Sequence, residues 1–150
     1  MHIRTRGKPS KLSVKLCKTA LEFYGKKLLG NLSNNIGITV EFNDFSLDGK
    51  YIGYCEIDEI DDRPRSFIIS IEKTLNKKQM LTALAHEMVH VKQYARGNLK
   101  DYVKSPHKSK WNDEILDCNS IDYWDYPWEI EAYGREKGLY VRFMESLKKK

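Results

Sequence analysis

The sequence predicts an α+β fold in a single domain spanning residues 1–150. Local signals along the chain carry this. One long segment repeats apolar residues at helical spacing, a second is bounded by a capping box and a terminal glycine, a third opens on a proline at the expected helix-start position, and three β-type stretches lie between the first two. A chain of 150 residues typically buries about 70% of its unfolded surface, enough for a core without disulfide or metal staples. No window approaches the ~18 consecutive apolar residues that a membrane span requires.

The first helix is expected from about Ser10 to Leu29. Val14, Cys17, Leu21, Tyr24 and Leu28 alternate spacings of three and four, which leaves one apolar stripe, and Gly30 supplies the stop. Strands are expected around Ile36–Phe42, Tyr51–Ile57 and Ser66–Ile71. Asp48-Gly49 reads as a hairpin turn and the residues from Asp61 to Pro64 as a second break, so the three strands form an antiparallel meander. The strand at Ser66–Ile71 immediately precedes the next helix and is the expected edge against which an extended peptide would lie. That helix should run from Lys77 to Arg96: Asn76 is a good N-cap, Gln79 stands in the capping-box position, and Gly97 follows the end. Some thirty residues rich in Tyr, Trp, Lys and Asp then read as irregular. Pro127 opens a final helix to about Leu147. Residues 1–9 and 148–150 are expected to be flexible ends.

With 26 Lys+Arg against 21 Asp+Glu the net charge is +5, but the charge is segregated. Arg4, Arg6, Lys8, Lys11, Lys15, Lys18, Lys26 and Lys27 precede Gly30 against a single Glu22, whereas Glu41 to Asp62 is mostly acidic. A basic first helix can track phosphates, yet no nucleic-acid motif accompanies it, so nucleic acid is a permitted partner and not the favoured one. Cys17, Cys55 and Cys118 are odd in number and never form a CxxC pair, so neither a disulfide framework nor a thiolate zinc knuckle is indicated. The charged opening offers no apolar stretch for secretion. A cytoplasmic protein with no membrane partner is the expectation.

The chemistry concentrates in His86-Glu87-Met88-Val89-His90, an HExxH pattern inside the best-marked helix. Residues i and i+4 are about 40° apart around a helix of 3.6 residues per turn, so both imidazoles leave one face and can converge on one ion. Glu87 is held back from that ion and can take a proton from its bound water, which makes it the natural general base. With 4 His and 11 Glu among 150 residues, the pattern arises by chance roughly once in a hundred such chains. Two histidines satisfied within a core would be the plain alternative, but Leu84, Ala85, Met88, Val89 and Val91 make this a buried helix in which paired histidines need a reason.

A catalytic zinc ion, one per chain, needs a third protein ligand and an open fourth position. On the last helix Glu129 shares its face with the small Ala132 and with Tyr133, as expected where that helix packs against the metal helix. Glu131 lies four residues before Arg135 and has an ordinary ion-pair explanation. Glu129 is therefore favoured over Glu131. His107, seventeen residues beyond His90, is the remaining alternative. Tyr123, Tyr126, Tyr133 and His107 are candidate donors to a developing oxyanion, with nothing in the sequence to choose among them.

These residues resemble a family. His86 to His90, then Gln93, then Trp128-Glu129-x-Glu131-Ala132, is similar to the small zinc metallopeptidases of the gluzincin type within the zincin class. The resemblance implies a minimal domain that brings HExxH and a glutamate from a later helix to one zinc ion, with that ligand carried over onto Glu129. Tyr133 stands where such motifs have an acidic or amide residue. The same HExxH with a later His-x-x-x-aromatic also resembles SprT-like proteases, whose third ligand is a histidine, carried over onto His107; Lys108 replaces the glycine that follows it there. The implied activity is hydrolysis of peptide bonds in a protein substrate. The alternatives are a SprT-like DNA-associated protease and a catalytically silent binding module that keeps the zincin fold.

Overall fold

The computed structural model describes residues 1–45, 52–59, 61–102 and 105–149. Among them are three helices and two small sheets, an α+β arrangement. Strands β1 (His2–Arg6), β2 (Gly37–Asn43), β3 (Gly53–Ile57) and β4 (Ser66–Glu72) form one sheet in the order β1-β2-β4-β3. Helices α1 (Val14–Leu29), α2 (Lys77–Ala95) and α3 (Pro127–Lys148) complete the main body, and β5 (Leu99–Asp101), β6 (Lys108–Trp111) and β7 (Glu114–Asp117) form a separate antiparallel sheet. No described helix is long and apolar enough to cross a membrane.

The antiparallel meander is corrected. β2 runs parallel to both β1 and β4, and only β3 is antiparallel to its neighbour β4. Helix α1 is the crossover that parallel β1 and β2 require. Asp48-Gly49 lies outside the described residues, and the strands on either side of it do not pair. Turn chemistry states that the chain reverses, not which strand it will lie beside. β4 is the inner strand because five of its seven residues, all but Ser66 and Ile68, are buried, whereas β3 alternates half-buried with exposed positions, the pattern of an edge. The expected peptide-binding edge at Ser66–Ile71 is therefore already paired on both sides; among the described residues the edge strands are β1 and β3, and β3 is the one beside α2.

Three further expectations change. Residues 2–6 are a strand and not a loose end, since pairing to β2 satisfies a backbone that its alternating charges gave no reason to order. The stretch after α2 is not irregular. Its strands have only three or four residues each, too few to show a period, and Asn112 at φ 54° makes the two-residue turn between β6 and β7. Helix α1 begins at Val14 because the Ser13 side chain accepts from Leu16 N and caps it there. Lys148 still belongs to α3.

The core lies between the main sheet and the helices. The register pairs Ile38 with Phe67, Val40 with Ile69 and Phe42 with Ile71, so the alternating residues of two strands present one apolar face. Against it pack Leu21 and Tyr24 of α1 and Met80, Leu81, Leu84 and Met88 of α2. Each such fully buried side chain contributes about 1.5–3 kcal/mol. The Tyr24 hydroxyl, fully buried, donates to Leu81 O at 2.9 Å and so ties α1 to α2. At its start α2 carries both capping-box bonds, Gln79 N to Asn76 Oδ1 at 2.9 Å and Asn76 N to Gln79 Oε1 at 3.0 Å. These contacts fix the helix that carries the HExxH residues. Replacing Tyr24 by Phe should lower unfolding free energy by about 1 kcal/mol in a denaturant titration, the net worth of one buried hydrogen bond.

Candidate metal centre

His86, Glu87 and His90 all fall on the buried part of α2, at 8%, 5% and 8% exposure. Their i, i+4 placement sets the two imidazole centroids 5.0 Å apart. From α3, the carboxylate of Glu129 reaches between them: Oε1 lies 3.1 Å from His86 Nε2 and Oε2 lies 3.0 Å from His90 Nε2. Ala132, one turn along the same face, is fully buried, and its small side chain lets α3 approach α2 closely enough for this contact.

The outer nitrogens are equally committed. His86 Nδ1 is 3.1 Å from Glu136 Oε2, and His90 Nδ1 is 2.8 Å from Gln93 Oε1. A proton on each Nδ1 satisfies both acceptors, so that with a metal ion bound each Nε2 would present its lone pair to the shared point, the arrangement by which outer partners orient metal-binding imidazoles. Gln93, fully buried, uses its amide to donate to Trp128 O and to Glu131 Oε1, both at 2.9 Å. It thereby joins a histidine of α2 to the first turn of α3.

His86, His90 and Glu129 form a buried group whose ligand atoms lie within 4.8 Å of one another and that could hold a metal ion. Two imidazole nitrogens and one carboxylate are a donor set suited to a transition-metal dication with an open position. A second observation points the same way. Glu87 Oε2 is buried with no hydrogen-bond partner, and an orphaned buried carboxylate oxygen beside such a group calls for something polar to meet it. Burial pushes the Glu87 pKa up to about 7.

The remaining expected residues separate. Glu131 is not in the group; it pairs with Lys92 at 2.8 Å and Arg135 at 3.3 Å, the ion-pair role foreseen for it, and also takes the Gln93 amide. His107 is exposed, in the turn before β6, and takes no part. Among the tyrosines, Tyr126 is turned away, donating to Cys118 O at 2.9 Å. The Tyr123 hydroxyl donates to Glu129 Oε1 at 2.9 Å and lies 3.3 Å from the Tyr133 hydroxyl, so these two stand at the group. Tyr133 also packs edge-on against the His86 ring at 4.5 Å. The acceptor at His86 Nδ1 is Glu136, one turn beyond Ala132. Glu136 went unnoticed in the sequence, although Glu129, Ala132 and Glu136 at i, i+3 and i+7 share one helix face.

The group opens onto a cleft beneath the β3 edge. On one side, ≈ 220 Å³ is lined by residues including Tyr54, Cys55, Tyr94 and Leu99; on the other, ≈ 970 Å³ is lined by residues including Ile52, Ala83, Trp124 and Tyr133. Gly53 sits at the junction. A Cβ there would come within 3.1 Å of Ser70 O and 3.5 Å of Glu87 Oε1, so the bare backbone keeps the space beside Glu87 open. Comparison of the chain with protein-family models, with curated proteins and with solved structures gives no match.

Charge pairing in the metal-free group has a consequence for pH. Burial works against a charged His86, but its hydrogen bonds to the Glu129 and Glu136 carboxylates, which accept, outweigh it and raise its pKa to about 10. His90 is raised likewise against its burial, chiefly by Glu129. Burial would raise Glu129, yet the two histidines hold it well below the usual carboxylate range. A histidine raised in the folded state adds stability that is complete below its unfolded pKa of about 6.5 and is lost as pH climbs through the folded value. Chelator-treated protein should therefore show a thermal midpoint that declines from pH 6.5 toward pH 10. A midpoint that climbs across that window would contradict the pairing.

Proposed function

We propose that this chain is a zinc-dependent peptidase of the zincin class, in which His86, His90 and Glu129 hold the ion and Glu87 is the general base. The observation that carries the reading is the unpartnered Glu87 Oε2, buried beside the two Nε2 atoms and a carboxylate, under a strand edge that no other described strand pairs. A bound zinc ion supplies Lewis-acid chemistry, polarising a carbonyl oxygen and lowering the pKa of a water toward ~7.

The chain's own residues do the rest. β3 offers its unpaired backbone N–H and C=O groups to an extended peptide, which adds to the sheet as one more strand and is thereby oriented over Glu87. Glu87 accepts a proton from the attacking water as the oxygen bonds to the carbonyl carbon. When the C–N bond breaks, the same carboxyl gives that proton to the leaving amine. The Tyr123 hydroxyl, at the ligand carboxylate, is the side-chain donor assigned to the developing negative charge, with Tyr133 beside it. A purely structural site would have no use for a base held free of hydrogen bonds, which is why an enzyme is preferred to a silent binding module.

Two measurements test this. Glu87→Gln should keep zinc, assayed by metal analysis after dialysis, and lower casein cleavage about 10²–10⁴-fold; a variant that holds zinc and cleaves at the original rate removes Glu87 from its role. In chelator competition, Gln93→Ala should weaken zinc affinity about 10–100-fold and Glu129→Gln by more, with His107→Ala unchanged. An effect of His107→Ala as large as that of Glu129→Gln would return the third-ligand role to the histidine.

A further inference from the structure

Glu131 does more than make the ion pairs foreseen for it. Its Oε2 takes Lys92 at 2.8 Å and Arg135 at 3.3 Å, which leaves Oε1 to accept from the Gln93 amide at 2.9 Å. That amide has no exposure at all (0%), so each of its polar atoms must be met inside the protein. Its two N–H groups meet two oxygens, Trp128 O and Glu131 Oε1, and its own oxygen meets His90 Nδ1 at 2.8 Å. Turned over about its last bond, the same amide would set its oxygen against both acceptors and its N–H groups against His90 Nδ1, where only a lone pair could receive them. A neutral imidazole carries its proton on either nitrogen, and what faces one nitrogen decides what the other can do. His86 needs no such arbiter, because the Glu136 carboxylate faces its Nδ1 and accepts whichever way it turns.

We propose that Glu131 is a positioning residue for the metal: by taking the second N–H of Gln93 it fixes which end of that amide faces His90, keeps the His90 proton on Nδ1 and so keeps Nε2 available to the ion. The inference rests on His86, His90 and Glu129 as the ligands of the reading above, and not on peptide hydrolysis. The division between the two carboxylate oxygens carries it. Oε2 faces the cations and ties α3 to α2 as an interhelical ion pair does, whereas Oε1 acts on Gln93. Trp128 O takes one N–H only, so a Gln93 without Glu131 would bury the other with no partner and lose much of its preference for one orientation. Position along α3 explains why an intermediary is needed. Glu129 and Glu131 leave the helix about 200° apart, so one carboxylate enters between the imidazoles and the other does not. Gln93, one turn beyond His90 on α2, spans the gap. The influence runs from Glu131 Oε1 through Gln93 to His90 Nδ1, and it ends on one imidazole of the two.

The test is chelator competition for zinc, read on variants that separate the two oxygens. Glu131→Ala should weaken zinc affinity roughly tenfold, the low end of what an outer partner of a metal-binding histidine is worth. Glu131→Gln loses the charge but keeps an acceptor for Gln93, and should stay within about threefold of the original affinity. In a Gln93→Ala background, Glu131→Ala should bring no further loss, because the route through the amide is already cut. Lys92→Met combined with Glu131→Met replaces the ion pair by apolar side chains, an exchange that folded proteins commonly tolerate, and should lose the same factor of about ten; it carries the test should the alanine variant not fold. A second readout follows the proton itself. In proton–nitrogen correlation spectra of zinc-loaded protein, Glu131→Ala should speed solvent exchange of the His90 Nδ1 proton, while that of His86, held by Glu136, keeps its rate. Equal losses for Glu131→Ala and Glu131→Gln, or the same loss with Gln93 already removed, overturn the inference and leave the ligand set standing. An unsubstituted protein that takes up no zinc overturns the ligand set and this inference with it.

Discussion

The contact on which the rest of the structure depends is the Glu129 carboxylate set between the Nε2 atoms of His86 and His90. Three ionisable groups buried together are costly unless each finds a partner, and here each does. One carboxylate spans both imidazoles, and their other nitrogens go to Glu136 and Gln93. Because the partners come from two helices, the polar cluster and the α2–α3 packing are one arrangement. Gln93 makes this literal, with one end on a histidine and the other on the backbone and a side chain of α3. Glu87 Oε2 is left out of the network, and its position follows from the helix: next to His86 in sequence but about 100° further round the axis, that oxygen is buried and reaches no donor.

The sheet contributes by leaving β3 at an edge that borders the site. α1 carries the chain from β1 to a parallel β2, and β4 then takes the place beside β2, so that among the described residues β3 has a neighbour on one side only. That free side is where Gly53, Tyr54 and Cys55 border the histidines. The apolar register of β2 and β4 holds α2 against the sheet, so the distance from strand edge to Glu87 is set by core packing rather than by loops.

How much of this was legible in the sequence depended on whether the signal was local. α2 declared itself through Asn76, Gln79 and Gly97, and the HExxH residues inherited their geometry from it. Glu129 could be chosen over Glu131 because the small Ala132 marks the face that packs closely. Glu136 and the double role of Gln93 depend on how α2 and α3 are juxtaposed, which no single helix records. Strand order failed for the same reason: Asp48-Gly49 and Asp61 to Pro64 mark reversals, whereas pairing is decided by which strand buries more of itself, as β4 does. β1 gave no warning because His2–Arg6 is ordered by its partner and not by its own pattern.

The shortness of β3 has a consequence beyond its place at the cleft. An unpaired edge invites other copies of the chain as readily as it invites a ligand. With five residues, among them Gly53 and the exposed, charged Glu56, this edge offers too few backbone bonds, and too much repulsion between like strands, for self-association to be self-sustaining. A visiting segment must draw the balance of its hold from side chains seated in the adjoining cleft, so the same shortness that protects the protein from sticking to itself makes it discriminate among what it admits.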